Sequence, residues 1–285
     1  MLPIAGSITS LESLAKAAGS FAKSESMPVL FVGHGSPMNA IEDNRFSREM
    51  KTIGKRMGKP TAILMVSAHW ETKGSFVTIQ ERPQTIHDFG GFPQALFEAQ
   101  YPAPGSTWLA GETQKAVASN QIAFDGKWGF DHGCWSVAMN MFPLADVPIV
   151  QLSLDYTQTA SQHYALSQQL KTLRNKGVLI IGSGNMIHNL GMLSFKGNSF
   201  DEPYGYDWAI ELNSKLKQDI ENKNHQSLIN YTSFGKAASL AIPTPEHYLP
   251  MLYTLAMQNE KDSLEFFNDS VVAGSISMTS FFFSS

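Results

Sequence analysis

Histidine placement is the feature of this chain that could do chemistry. Four of its eight histidines lie where a strand-like run or a turn ends: His34 in VLFVGHGSPM, His69 in AILMVSAHW, His188 in VLIIGSGNMIHNL and His247 in IPTPEHYLP. Imidazole is the commonest neutral metal ligand and titrates near pH 7. Loops at the carboxyl ends of strands in an open α/β sheet converge on one edge. Separate loops can therefore deliver these imidazoles to one point, and the pattern reads as a metal site.

The surrounding residues admit a plain reading beside a functional one. His34 sits between Gly33 and Gly35, where it has little to pack against, and reads as a ligand. His69 ends an apolar run beside Trp70; alone it is equally a strand-end hydrogen-bonding residue. Gly182 and Gly184 could cradle an anion or form an ordinary strand-to-helix turn, with His188 beyond them as a ligand or an acid/base. Prolines 243, 245 and 250 either hold Glu246 and His247 rigidly or simply cap the next helix. His132 beside Asp131 suits a tuned proton shuttle. His87, Asp88, Phe89 and Phe92 read as a packed surface loop or, with Trp135, as aromatic walls for a planar substrate. His163 and His225 read as solvated. Cys134 has no charged neighbour that would make it a nucleophile. There is no G-x-S-x-G elbow and no P-loop, and the G-x-G at 33–35 lacks the third glycine of a dinucleotide fingerprint.

These residues need a scaffold. Strands are expected near 28–33, 61–66, 76–79, 148–154 and 178–181, and an edge strand near 274–283. Helices are expected near 44–57, 108–119, 158–176, 207–222 and 251–257, with Gly177 closing one of them. Residues 81–106 form a long loop rich in proline, glycine and aromatic residues, a type that is usually functional. Strands alternating with helices predict a single α/β domain: a central mixed, mainly parallel sheet flanked by helices on both faces. Residues 1–26 stand apart as an N-terminal extension with a weak helical stripe at Leu11, Leu14, Ala15 and Ala18, and without the basic start of a signal peptide.

Composition narrows the partners. With 285 residues, 43% of them hydrophobic, a large core is available. Charged residues are 16% and net charge is −4 with no basic block, which argues against nucleic acid and for a small, modestly polar substrate. No apolar run is long enough to span a membrane. A single cysteine excludes an intrachain disulfide and suits the cytoplasm. The C-terminal Phe281–Phe283 run could bury against a second copy in a homo-oligomer or against the core.

Six segments in order, GHGSPMNAIEDN, VSAHW, TIHDFGGFPQALFEAQYPAPG, WGFDHGCW, GSGNMIHNL and IPTPEHYLP, resemble the class III extradiol ring-cleavage dioxygenases, and within them the 4,5-DOPA extradiol dioxygenase branch. The resemblance runs from about Met27 to the C-terminal GSISM segment, so residues 27–285 are the expected catalytic domain. It implies that His34, His69, His188 and His247 fall on metal-centre positions, and that His132 serves substrate binding and proton transfer. His188 takes an acid/base role if it is not a ligand. The wider class uses two histidines and a glutamate, so either Glu246 or His247 would reach the metal. It implies Fe(II) for activity, with Zn(II) able to fill the same site, and a small aromatic diol and O₂ as substrates. A zinc hydrolase using Glu246 as base, or a non-catalytic binding relative, are the rivals that such residues leave open.

Overall fold

Side-chain alternation along the central strands sorts the core into two layers. The computed structural model describes residues 26–117, 121–195, 200 and 202–285. In strands β1 (Val29–Gly33), β2 (Ala62–Thr72), β3 (Ser75–Thr78), β4 (Ile122–Asp125), β5 (Ile149–Asp155) and β6 (Val178–Gly184), successive residues face opposite sides of the sheet. Val29, Phe31, Leu64, Val66 and Ile180 join one apolar cluster; Leu30, Val32, Ile63, Met65, Leu179 and Ile181 join the other. Helices Ala160–Leu170 and Leu249–Ala256 cover the first face, and helices Arg45–Met57 and His132–Met141 the second. Strands buried on both faces read as continuous apolar runs, which is why VLFV, AILMV and VLII are conspicuous in the sequence. Each such buried side chain contributes roughly 1.5–3 kcal/mol relative to exposure.

With β7 (Ser263–Phe267), β8 (Val271–Val272), β9 (Ile276–Ser277) and β10 (Ser280–Ser284), the main sheet has the order β4-β3-β5-β2-β6-β1-β10-β7. The inner run β5-β2-β6-β1 is parallel, while β3 on β5, and β10 on both β1 and β7, are antiparallel. The mixed, mainly parallel sheet with helices on both faces is therefore present. Local chemistry sets the element ends. Asn44 caps helix Arg45–Met57 in a reciprocal box with Ser47, and Gly58 ends it at φ 65°. Among the described residues no helix is long and apolar enough to cross a membrane.

Several expectations need correction. The strand expected at 61–66 runs further: β2 continues through His69 to Thr72, with an irregularity in its pairing to β5 between Val66 and Glu71. The 158–176 helix is α-helical only over Ala160–Leu170 and then tightens to a 3₁₀ helix that Gly177 closes at φ 74°. The C-terminal strand is not an edge. β10 lies between β1 and β7, and Phe281, Phe282 and Phe283 are core residues. His163 is not solvated: it is 2% exposed, with Nδ1 2.9 Å from the Tyr253 hydroxyl. His225 is half-buried, with Nδ1 2.8 Å from the Tyr164 hydroxyl. The stripe at Leu11–Ala18, and all but the last residue of the 1–26 extension, lie outside the described residues.

Candidate metal centre

Strand register brings the histidines together. In the parallel ladders Gly33 is level with Gly184, and Ser67 with Ser183. The carboxyl ends of β1, β6 and β2 therefore finish side by side. His34 follows Gly33 directly, and its backbone N–H donates to Gly184 O at 3.1 Å. His69 comes two residues past Ser67 on the extended part of β2. The result is a separation of 3.2 Å between His34 Nε2 and His69 Nε2.

Three more imidazoles surround this pair. His132 is the first residue of helix His132–Met141, which Asp131 caps by accepting from the Cys134 N–H. The next residue, Gly133, is a required close approach: a Cβ there would lie 2.5 Å from Ser67 Oγ and 2.9 Å from His69 Cδ2. His247 is held from the other side, its carbonyl accepting from the Asn185 N–H at 2.8 Å. His188 is anchored by its N–H to Ala241 O at 2.9 Å and by a bridge to Ile276. Ring centroids of His34 lie 5.1, 5.6 and 5.3 Å from those of His69, His132 and His247. His188 stacks on His247 at 3.5 Å with the planes 5° apart.

Ligand atoms fall into two adjoining groups, His34–His69–His132 and His188–Glu246–His247, each within 4.8 Å internally. All four histidines expected at a metal centre, together with His132, thus meet at one sheet edge. Glu246 stands within the second group, where its Oε1 accepts from Thr244 Oγ1 at 2.8 Å and lies 3.3 Å from His247 Nδ1.

Hydrogen-bond partners determine which ring nitrogens carry protons. Ser183 Oγ donates to Gly133 O at 2.6 Å, so at 3.0 Å it can only accept from His34 Nδ1. Asp88 Oδ2 lies 3.4 Å from His69 Nδ1; a lone pair there would face a carboxylate, so the proton sits on Nδ1. Both Nε2 atoms then present lone pairs to each other at 3.2 Å. That arrangement is repulsive without a cation and suits one, since metal–imidazole bonds of about 2.0–2.1 Å place neighbouring ligand nitrogens about 3 Å apart. The rings are also kept neutral. Burial, then the surrounding imidazoles, pushes His34 well down, and burial, then His188, does the same to His247. His69 is pushed to about 3 by burial and the neighbouring His132, against the opposing pull of Asp88. Burial takes His188 to about 4.

The histidines line a cavity of about 500 Å³ with Asp88, Phe89 and Phe92. Phe89 meets the His132 ring edge-on at 5.6 Å and Phe92 at 5.3 Å. His87 and Trp135 do not line it. His87 packs on Phe97 with its Nε2 2.9 Å from Ala99 O, and Trp135 is fully buried, donating to Ile86 O at 2.9 Å. Sequence reasoning favours loop packing for Asp88 and passes over Ser183, Leu190, Leu193, Phe195 and Phe200. Asp88 has a signal, an acid inside a long aromatic loop; Ser183 has none, being one small residue between glycines. Gly182 and Gly184 do not cradle an anion. A Cβ on Gly184 would lie 2.1 Å from His247 O, and one on Gly182 2.3 Å from Pro250 O, so these glycines admit the His247 segment against β6.

Known proteins resemble this chain in sequence and in fold. Residues 28–284 match the family described as the catalytic LigB subunit of aromatic ring-opening dioxygenase. A 4,5-DOPA dioxygenase extradiol of Escherichia coli K12 is 42% identical over 258 residues, 89% of this chain and 93% of that protein. One from Beta vulgaris is 35% identical over 264 residues, 90% of this chain and 96% of that protein. A crystal structure of an uncharacterized protein from Escherichia coli K12 superposes with a TM-score of 0.77 at 37% identity, covering 90% of this chain and 99% of that one. With nearly every described residue inside the match and the imidazoles gathered at the sheet edge, the chain belongs to the LigB family of metal-dependent aromatic ring-opening dioxygenases.

Proposed function

We propose that this chain opens the ring of a DOPA-like catechol beside, not between, its two hydroxyls, with Fe(II) held by His34, His69 and His247 and with His188 completing the centre. The observation that carries it is the 3.2 Å approach of the His34 and His69 Nε2 atoms, whose opposite ring nitrogens face Ser183 Oγ and Asp88 Oδ2. The ring of His247 stands 5.3 Å from that of His34 and 4.9 Å from that of His69. These residues would hold a ferrous ion, which when bound would lower the pKa of the catechol hydroxyls and support reaction with O₂.

This chain's own residues do the rest. Phe89 and Phe92 form one wall against the ring of the substrate. His132 takes a hydroxyl proton on Nε2, because Asp88 holds the other nitrogen, Nδ1, at 2.9 Å. The same imidazolium returns that proton as the ring opens. Both oxygen atoms of O₂ enter the product: the carbon–carbon bond beside the diol breaks, one end becoming an aldehyde and the other a carboxylate. Burial of His34 and His247 keeps bulk water from the reacting atoms. The single cysteine, Cys134, is a buried free thiol, which supports a cytoplasmic setting.

The test is native metal content together with O₂ consumption on catechol, L-DOPA and protocatechuate after anaerobic Fe(II) loading. Yellow semialdehyde and one O₂ per catechol are expected from the ferrous protein, and none from a zinc-loaded sample, since zinc does no redox chemistry. No uptake with any catechol by the iron-loaded protein would defeat the reading.

A further inference from the structure

The acid next to His132 in the sequence is not the one that holds its ring: Asp88 does that, and Asp131 turns instead to β2 and β5. We infer that Asp131, buried behind His69 and His132, is a positioning residue of the metal centre and supplies the negative charge that its imidazoles lack. The inference rests on the metal site of the ring-opening reading and extends it to a residue that is not itself a ligand. Asp131 is 0% exposed. Its Oδ1 accepts from Ser67 Oγ at 2.6 Å and from the Cys134 N–H at 3.0 Å. Its Oδ2 accepts from Gln151 Nε2 at 2.7 Å and from Trp128 Nε1 at 3.3 Å. These four donors fill the acceptor sites of a carboxylate, and all four are neutral.

Two connections run from this carboxylate to the site. Ser67 Oγ donates to Asp131 and accepts the His69 backbone N–H at 3.2 Å, so Asp131 orients the hydroxyl that holds a proposed ligand. Asp131 also caps the helix whose first residue is His132. No side chain separates carboxylate from ligand ring: a Cβ on Gly133 would lie 3.3 Å from Asp131 Oδ1 and 2.9 Å from His69 Cδ2. Charge completes the argument. Neutral imidazoles leave a bound divalent ion with its full charge. A buried carboxylate with only neutral donors lacks a counter-charge, and taking it out of water is costly until one is near. The two meet across Gly133, in a water-poor interior where charges attract strongly. Burial, with the charge of Asp88, raises the Asp131 carboxyl, and the bonds from Ser67 and Gln151 oppose that rise; a cation at the centre would oppose it too.

Asp131→Asn tests the charge. Asparagine caps helices as well as aspartate does. Gln151 Oε1 is buried with no hydrogen-bond partner among the described residues, so its amide can turn to accept from the new one. The readouts are Zn(II) affinity by chelator competition and the Fe(III)/Fe(II) potential by a titration followed with electron paramagnetic resonance, with urea midpoints to establish folding. In Asp131→Asn, Zn(II) affinity should fall about tenfold. Ferric iron, with one more charge, should lose about tenfold more than ferrous iron, which raises the potential by about 59 mV. Adding Gln151→Glu moves the carboxylate to the other end of the same hydrogen bond and should restore both values. Ser67→Ala keeps the charge and cuts the link to His69, so affinity should fall while the potential holds. A folded Asp131→Asn with wild-type affinity and potential overturns the inference, as does a double variant that restores neither. Unchanged Zn(II) affinity in Ser67→Ala overturns it even if Asp131→Asn does not fold. If affinity and potential follow the Asp131 charge while no catechol consumes O₂, the inference stands and the ring-opening reading fails. If catechols are cleaved while neither value follows that charge, ring opening stands alone.

Discussion

Asp88 grips His132 at two points: its Oδ1 accepts the His132 backbone N–H at 2.8 Å, and its Oδ2 lies 2.9 Å from Nδ1 of the ring. The ring can neither flip nor exchange tautomers without losing a charge-assisted bond, so Nε2 is presented to the cavity. Burial works to raise the Asp88 carboxyl, but the bonds from His132 and the nearby His69 outweigh it and hold the group below its ordinary range. One loop carboxylate therefore orients the imidazole proposed to carry the proton and, at 3.4 Å, faces a proposed metal ligand.

Asp88→Asn should lower kcat by about 10- to 100-fold, the usual cost of losing an outer partner of a site histidine. Metal content measured on the same sample separates the two contacts. Loss of kcat at unchanged metal content means that Asp88 acts through His132. Loss of metal in proportion to activity means that it acts through His69, and that the 2.9 Å contact does not set the proton transfer.

Ser183 makes a second prediction. Its hydroxyl accepts from His34 Nδ1 and donates to Gly133 O, linking β6, β1 and the start of the His132 helix. Ser183→Ala removes the group that selects the His34 tautomer, so metal affinity should fall about tenfold or more. Competition with a chromophoric chelator measures it. An unchanged affinity would show that burial alone positions the ring.

The contrast between Asp88 and the histidines explains what is legible in the sequence. His34 and His188 follow buried strands and His69 lies on the extended end of one, and the apolar runs that precede them are unmistakable. The parallel register that makes Gly33 and Ser67 level with Gly184 and Ser183 is set by whole-sheet packing, which leaves no local trace. The short strands β4 and β7 escape for a related reason: at the sheet edges only part of each is buried, so their patterns are brief and broken. His163 misleads because its immediate neighbours Ser161 and Gln162 face solvent while it turns inward to Tyr253.

Acid should destabilise the metal-free protein well above the carboxylate range. Burial lowers the folded-state pKa of His163, outside the metal centre, and of His34 and His247 within it. It also takes His188 to about 4 and, with His132, His69 to about 3. Between those values and the ordinary histidine value of about 6.5, the unfolded chain binds more protons than the folded one. Stability is therefore complete above the ordinary value and falls as pH drops through the window. Urea midpoints should decrease from pH 7.5 to pH 5. His163→Gln should show a shallower decrease. A midpoint flat across this range in the wild type would contradict the sign.

Gly184 tests how His247 reaches the centre. The carbonyl of His247 lies where a side chain on Gly184 would be, 2.1 Å from a Cβ, and that contact is with backbone, which has no rotamer to yield. Asn185 N–H bonds the same carbonyl at 2.8 Å, so the segment cannot simply lift away without leaving a buried donor unpaired. Gly184→Ala should therefore cost about 1–3 kcal/mol as an overpacking change. Because the strain falls on the His247 segment, metal affinity should drop more than stability does, as read by chelator competition alongside urea unfolding. Gly58→Ala is the control: its glycine also closes an element, but nothing lies within 4 Å of a Cβ there, so its left-handed φ of 65° should cost stability and leave metal affinity unchanged. Equal metal affinities in the two variants would mean that His247 is not held to the centre by this contact.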